Sequence, residues 1–402
     1  MNSLHVCVVG AGQFAQCFLP LFRAHPLVRE VSLCDQMPHR LAEEARRFRI
    51  RRTFASYREV LQCREVDAVA IFTQRWTHAA LALKALRAGK HVYCAVPAAT
   101  TLEDLQRLVE TVQSTGLTYM MGETSLYYGS RLYCLERWQR GDFGNFVYGE
   151  GEYLHDMAHG FYEAYQYSGG SAWKKTASFP PMLYPTHSVA MILSVTGARM
   201  TRVSCLGVVD GHEDGIFRRT VSRWKNVFSN QTALFRTSDG GSVRINEFRR
   251  IGVRHGRSVR VSLYGTEGAF EEQSEGAAWT SSAEAPRSVE REIRCHSVYS
   301  KREWERIRVD GALKKEFAGG FAPIHQTYRR RLPVSYQTEP NGHEGSHQFL
   351  VDDFVTATVS GALPSVSVWD AARYNAPGIV AHASSLKDGE TLPIPDFGSP
   401  RA

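Results

Sequence analysis

Residues 5–16, HVCVVGAGQFAQ, concentrate the first recognisable chemistry of this chain, because a β-branched run passes directly into Gly10 and Gly12. A buried strand that turns tightly into a helix points backbone N–H groups and the positive end of the helix at an anion. In such a turn Gly10 permits the bend, Gly12 lets a pyrophosphate approach the backbone, and Ala15 lets the helix pack closely. The next apolar run, residues 28–33, leads to Asp35. A carboxylate there accepts hydrogen bonds from ribose hydroxyls and repels the extra phosphate of NADP, so NAD is the expected cofactor. Gly10, Gly12, Gln13, Phe14 and Asp35 are its expected contacts. Thr73, Gln74, Trp76 and His78, just after another apolar strand, are expected to border it, as strand C-terminal ends do in open α/β sheets.

These residues need elements to hold them. After Asp35 the spacing predicts a helix over 40–48, a strand over 66–73, a helix over 77–88 stopped by Gly89, and a strand over 91–95. A helix over 102–115 before Gly116 and a strand over 118–121 follow. Strands alternating with helices specify a parallel, doubly wound sheet, and residues 1–122 are read as an NAD-binding Rossmann domain. Beyond a helix over 130–140 the period changes to two, in stretches 146–154, 201–208, 232–237, 242–248, 259–264 and 269–272. Residues 123–402 are therefore expected to form an α+β domain with an open antiparallel sheet. Segment 276–320 reads as loop with two strands, helices over 346–360 and 368–385 close the domain, and an extended tail covers 392–397.

Composition narrows the class. A chain of 402 residues with 43% hydrophobic content favours two globular domains. It has no apolar run of about 18 residues and no export signal at its start, so a membrane role is not expected. Eight cysteines without a C-x-x-C pair read as reduced thiols of a cytoplasmic protein. The net charge of +7 includes arginine-rich runs at 46–52 and 329–331. Without a recognition motif these read as solvated faces, and nucleic-acid binding is not expected.

The sequence resembles the glucose-fructose oxidoreductase and inositol dehydrogenase superfamily, Gfo/Idh/MocA. The glycine turn carries the resemblance together with residues 66–94, VDAVAIFTQRWTHAALALKALRAGKHVYC, a strand, a loop ending in His and a helix closed by A-G-K-H-V. The resemblance implies a Rossmann domain followed by a sheet domain that offers one face to the nicotinamide. Homodimers or homotetramers through the other face are implied as well. The chain departs from the dehydrogenases of that family where they carry E-K-P and an Asp and His four residues apart. Here these positions are Ala95-Val96-Pro97, and Leu183 with His187. Neither valine nor leucine can exchange a proton.

Segments V-P-A-A (96–99), GEGEYLHDM (149–157), LYPTHS (183–188) and WDAARYNAP with IPDF near the end resemble the NAD-dependent α-N-acetylgalactosaminidase glycoside hydrolases. That likeness places Val96 and Pro97 beside the cofactor and matches Tyr184 and His187 to the family's Y-P-T-H. It offers Glu123, Tyr128 and the glycine-flanked His343 as substrate contacts. It implies oxidation of a sugar carbinol, elimination of the C1 substituent, hydration and re-reduction, the NAD-dependent exception to two-carboxylate glycosidases. A phenol or imidazole suffices as base, and Tyr184, His187, Tyr153 and His155 are the candidates. The spacing of His155, His159, His187 and His343 matches no zinc pattern, so no metal is expected. Two alternatives stay open: an ordinary NAD-dependent sugar dehydrogenase, and a catalytically silent NAD-binding regulatory protein.

Overall fold

Six short, largely buried segments assemble the first sheet of the computed structural model, which describes residues 3–253, 257–296, 302, 305 and 320–400. The strands are β1 Leu4–Val9, β2 Val28–Cys34, β3 Thr53–Phe54, β4 Ala68–Ile71, β5 His91–Ala95 and β6 Tyr119–Gly122. They lie in the order β3-β2-β1-β4-β5-β6, and every neighbouring pair is parallel. Strands buried on both faces have no polar alternation, which is why they read as continuous runs. The strand order reverses between β1 and β4, and the glycine turn leaves β1 at that switch point. β3 has only two residues and carries no readable period. Helix Leu102–Thr115 shows both end signals: Asp104 N–H donates to the Thr101 hydroxyl at 3.2 Å, and Gly116 closes the helix at φ +66°.

The second sheet contains β7 Phe146–Leu154, β8 Met200–Val209, β9 Phe228–Thr237, β10 Ser242–Phe248, β11 Val259–Gly265, β12 Gly268–Glu272, β13 Ala277–Ser281, β14 Arg287–Ser288 and β15 Leu392–Pro393. Its order is β14-β13-β12-β11-β7-β10-β9-β8-β15. The expected antiparallel pairing holds at every junction except one: β7 and β10 run parallel, so the sheet is mixed. These two strands are joined not by a tight turn but through the helix Thr186–Thr196 and two further strands. A crossover of that length permits the parallel direction that a hairpin forbids.

The chain separates into two compact units that a single cut at residue 122 does not describe. One comprises Met1–Gly129, Ile293–Ala372 and Phe397–Ala402; the other comprises Ser130–Glu292 and Arg373–Asp396. Helix Ser346–Ser360 belongs to the first because its apolar residues find partners there: the Phe354 ring meets Phe22 at 6.4 Å and Tyr93 at 5.7 Å. The following segment extends the sheet edge, with Met121 N–H donating to the Val366 carbonyl at 3.1 Å. Such a return of the chain leaves no composition shift to read. Of the polar segment 276–320, the described part holds β13, β14 and a helical turn Glu290–Ile293. Residues 297–301, 303–304 and 306–319 lie outside the described residues. Among the described residues no helix is long and apolar enough to cross a membrane.

In the second unit, helix Thr186–Thr196 sits on β7 where β7 carries glycines. A Cβ at Gly151 would stand 2.5 Å from the Ser188 carbonyl oxygen and 2.8 Å from Ile245 Cδ1. At Gly149 the nearest atom would be Ile192 Cδ1 at 3.3 Å. The contact at Gly151 is with backbone, which cannot rotate away, so Gly151→Ala is expected to destabilise the protein by about 2 kcal/mol or more in urea unfolding. Gly149→Ala, which meets a flexible side-chain end, should cost less.

Candidate active site

In the first unit, the geometry of the glycine turn follows from what surrounds it. Gly10 has φ +94°, and a Cβ there would lie 2.8 Å from the Phe72 carbonyl oxygen at the end of β4. Gly12, by contrast, has no heavy atom within 4 Å of its Cβ direction, which leaves the open approach that a pyrophosphate needs. Asp35 ties the turn to the end of β2. Its Oδ2 accepts Ala11 N–H and its Oδ1 accepts Met37 N–H, both at 2.8 Å, leaving further lone pairs for ribose hydroxyls. Gln13 is exposed and Phe14 half-buried on the short helix Gln13–Gln16. These features fit a dinucleotide.

The loop after β4 is tied internally. The Thr73 and Thr77 hydroxyls lie 2.7 Å apart, and Thr77 donates to the Gln74 carbonyl at 2.6 Å, while Gln74 and Trp76 remain partly exposed. His78 is buried, with Nδ1 2.8 Å from the Pro97 carbonyl oxygen and Nε2 3.0 Å from that of Thr73. Burial lowers its basicity. A neutral ring has a single N–H, so His78 donates to one of these two carbonyls and lies between the loops beyond β4 and β5. Val96 and Pro97 are buried beside it.

The three residues expected at substrate belong to this same unit. Glu123 is fully buried, and its Oε1 accepts Ser125 N–H at 2.9 Å and the Ser125 hydroxyl at 2.8 Å, capping the turn Thr124–Tyr127. Tyr128 is buried next to that turn. His343 is exposed and left-handed at φ +47°, followed by Glu344 at +53° and Gly345 at +92°. Asn341 braces this run by donating to the Gly345 carbonyl at 2.8 Å and accepting Gln348 N–H at 3.2 Å. The His343 ring lies 5.5 Å from Phe14, and its Nδ1 is 2.9 Å from Nε2 of the buried His347. His343 thus stands beside the glycine-turn helix.

The second unit gathers all four expected catalytic side chains. Tyr153 ends the inward face of β7, Tyr184 follows the turn Pro181–Leu183, and His187 lies in the first turn of helix Thr186–Thr196. Ring centroids are 5.2 Å apart for Tyr153 and His187, 5.3 Å for Tyr184 and His187, and 6.0 Å for Tyr153 and Tyr184. His155 lies 5.5 Å from Tyr153 and stacks on Phe161 at 3.9 Å. Asp156 is occupied with backbone, accepting Ala158 N–H at 2.9 Å and Ile251 N–H at 2.8 Å. The turn before Tyr184 is pinned from below by Gln231, whose Oε1 accepts Met182 N–H at 2.9 Å. Among the described residues no group of three or more His, Cys, Asp or Glu is arranged to hold a metal ion.

Beneath this face lies an ion pair that motif reading missed. Glu247 on β10 is 0% exposed; its Oε1 is 2.5 Å from Ser188 Oγ and its Oε2 accepts from Arg249 Nη2 at 2.9 Å. Burial pushes the Glu247 carboxyl up to about 7, against the opposing pull of Arg249, Ser188 and His187. Arg249 donates to the Tyr153 carbonyl at 3.3 Å, and its guanidinium lies 4.7 Å from the Tyr153 ring centroid. A signal for Glu247 existed: Val243 and Ile245 define the inward face of β10, and period two places residue 247 on that face.

The crevice at the sheet's switch point, the open glycine turn and the anchored acid define a dinucleotide-binding domain of the oxidoreductase type. Residues 4–123 match the model of the oxidoreductase family, NAD-binding Rossmann fold (GFO_IDH_MocA). This N-terminal domain is similar to that family and binds NAD. The chain is 26% identical to a glycosyl hydrolase family 109 protein of Streptomyces niveus, over 98% of this chain and 78% of that one. Among solved structures, levoglucosan dehydrogenase in complex with NADH and L-sorbose aligns with a TM-score of 0.73 at 18% identity, covering 98% of this chain and 100% of the other. The myo-inositol 2-dehydrogenase of Lactobacillus plantarum aligns at 0.69 and 16% identity over the same shares. Both likenesses are likenesses of fold.

Two measurements test these assignments. Asp35→Asn places an amide where both oxygens now accept N–H groups, so calorimetry should find NAD binding weakened at least about tenfold. For Glu247, the unfolded carboxyl titrates near 4.5 and the folded one near 7. The folded state holds the proton more tightly, so this contribution to stability is present below pH 4.5 and lost as pH rises through about 7. Denaturant unfolding should therefore show Glu247→Gln gaining stability relative to wild type across that window, by about 3 kcal/mol.

Proposed function

We propose that this chain is an NAD-dependent enzyme acting on a sugar or glycoside at a ring carbinol, and that it completes a redox-neutral glycoside cleavage. The observation that carries this reading is the cluster of Tyr153, Tyr184 and His187 within 6.0 Å of one another, centroid to centroid, in a chain with Val96 and Leu183 at the family's proton-transfer positions. NAD+ supplies a hydride acceptor that also returns the hydride. What the protein must supply is a group that takes the carbinol proton, a group that takes the acidified proton next to the new ketone, and a donor for the leaving oxygen. Phenol and imidazole are suited to all three. His187 takes the carbinol proton and then donates it to the leaving oxygen, Tyr184 takes the proton next to the ketone, and Tyr153, held by Arg249 over its ring, orients the substrate with His155. The name of the Streptomyces niveus relative, a glycosyl hydrolase, supports the choice of glycoside.

A second reading, simple sugar oxidation, draws on the fold likeness to levoglucosan dehydrogenase. The silent regulatory alternative lacks a comparable support. We further propose self-association through the open face of the second sheet, where Leu206, Val208 and Leu234 are more than half exposed. The eight cysteines, six of them buried and none in a C-x-x-C pair, support our reading of a cytoplasmic setting.

The test is a panel of nitrophenyl glycosides incubated with the NAD-loaded protein. Nitrophenol should be released without accumulation of NADH, and Tyr184→Phe should reduce the rate by about 100-fold or more. NADH formed in proportion to product would select the dehydrogenase reading; binding of NAD with no turnover of any glycoside or free sugar would select the regulatory one.

A further inference from the structure

Proton counting at Ser188 gives the buried pair beneath the site a second role. The Ser188 hydroxyl has one proton and two acceptors within reach, the Pro185 carbonyl at 2.9 Å and Glu247 Oε1 at 2.5 Å. Both contacts are hydrogen bonds at the same time only if Glu247 carries a proton on Oε1. Glu247 then donates to Ser188, and Ser188 donates to Pro185. If Glu247 is ionised, the hydroxyl proton turns to the carboxylate and the Pro185 carbonyl loses it. Arg249 satisfies Oε2 in either state. The Ser188 to Pro185 bond lies in the first helical turn, which also contains His187.

The surroundings of Glu247 are defined on each side. Just beyond the end of its own strand stands Arg249, 5% exposed. Tyr153 faces it from β7 and Gln231 from β9, both in register. Ser188 and His187 face it from the helix. Behind Gln231 stands His382, whose ring burial holds down to about 4, so it is neutral. Arg249 is the cation in direct contact, and it is shared with the Tyr153 and Phe248 carbonyls. A buried carboxylate with one partly shared cation and one neutral hydroxyl is poised between its two protonation states.

We propose that Glu247 is a positioning residue that carries an exchangeable proton beneath the Tyr153–His187 face. Protonated, it locks Ser188 onto Pro185 and fixes the turn that bears His187; ionised, it frees that bond and sets a negative charge behind the imidazole. The step is a proton exchange with bulk water, without other reactants. Its kinetic consequence rests on the assignment of His187 and Tyr153 to the reaction, whereas the protonation equilibrium itself does not, so the two are read separately.

The experiment is an isotope-edited infrared titration from pH 5 to 9 of the full NAD-loaded chain with carboxyl-labelled glutamate. Wild type minus Glu247→Gln isolates this carboxyl from Glu339, which burial also pushes up to about 7. A protonated-carboxyl band that fades with a midpoint within about one unit of 7 is expected, and Ser188→Ala, which removes a donor to the carboxylate, should raise the midpoint by about one unit. Should Glu247→Gln fail to fold, the Ser188→Ala shift alone decides. A carboxyl ionised throughout the range, or a midpoint indifferent to Ser188, overturns the proposal. With any glycoside the panel finds to be turned over, Glu247→Gln should flatten the limb of the rate profile near pH 7. A limb unchanged in the variant overturns the coupling to His187. Absence of turnover would count against the glycoside reading, while the infrared titration would still decide the protonation of Glu247.

Discussion

The second unit depends on one close approach, that of helix Thr186–Thr196 to β7 at Gly151. Only without a Cβ can the Ser188 carbonyl come so near the strand. That approach brings His187 against Tyr153 and Ser188 against Glu247. A side chain at 151 would lift the helix, and a lifted helix leaves Glu247 and Arg249 as a buried pair with one partner lost. Leaving the buried carboxyl without the Ser188 hydroxyl costs about 1–3 kcal/mol. The motif GEGEY is thus a packing device as much as a strand, since its two glycines face the helix while its two glutamates face the open side of the sheet.

The first unit rests on a comparable economy. Asp35 accepts two backbone N–H groups and so determines where the glycine turn stands relative to β2. We propose that the same carboxylate also favours NAD over NADP, so that one side chain serves both fold and specificity. His78 stands between the carbonyls of Thr73 and Pro97, in the loops after β4 and β5.

Most of the fold was legible from periodicity. Strands β5, β7 and β10 and the helices Leu102–Thr115, Ser346–Ser360 and Val368–Ser385 have the expected bounds, because glycines, capping hydroxyls and changes of period mark them. Two features were not legible. The parallel β7–β10 pair depends on a long crossover, and strand direction leaves no trace in alternation. The packing of helix Ser346–Ser360 on the first unit rests on aromatic contacts between residues distant in sequence. In the site, the motifs led to Tyr153, Tyr184, His187 and His155, which the structure gathers in one unit. Glu247, Arg249 and Ser188 escaped because no motif contains all three; they meet only through register and packing. An inward-facing charge in the alternation of β10 was the available signal, and it is the kind of local conflict that marks functional or strained positions.

Redox-neutral cleavage requires that a proton next to an oxidised carbinol be removed and replaced within one cycle. The direct measurement is mass spectrometry and NMR of the sugar released from a glycoside by the NAD-loaded protein in deuterated water. Deuterium at the ring carbon adjacent to the transiently oxidised one, with no accumulation of NADH, is the predicted result. A sugar that keeps its original hydrogen there, or a ketone product formed with stoichiometric NADH, would contradict it.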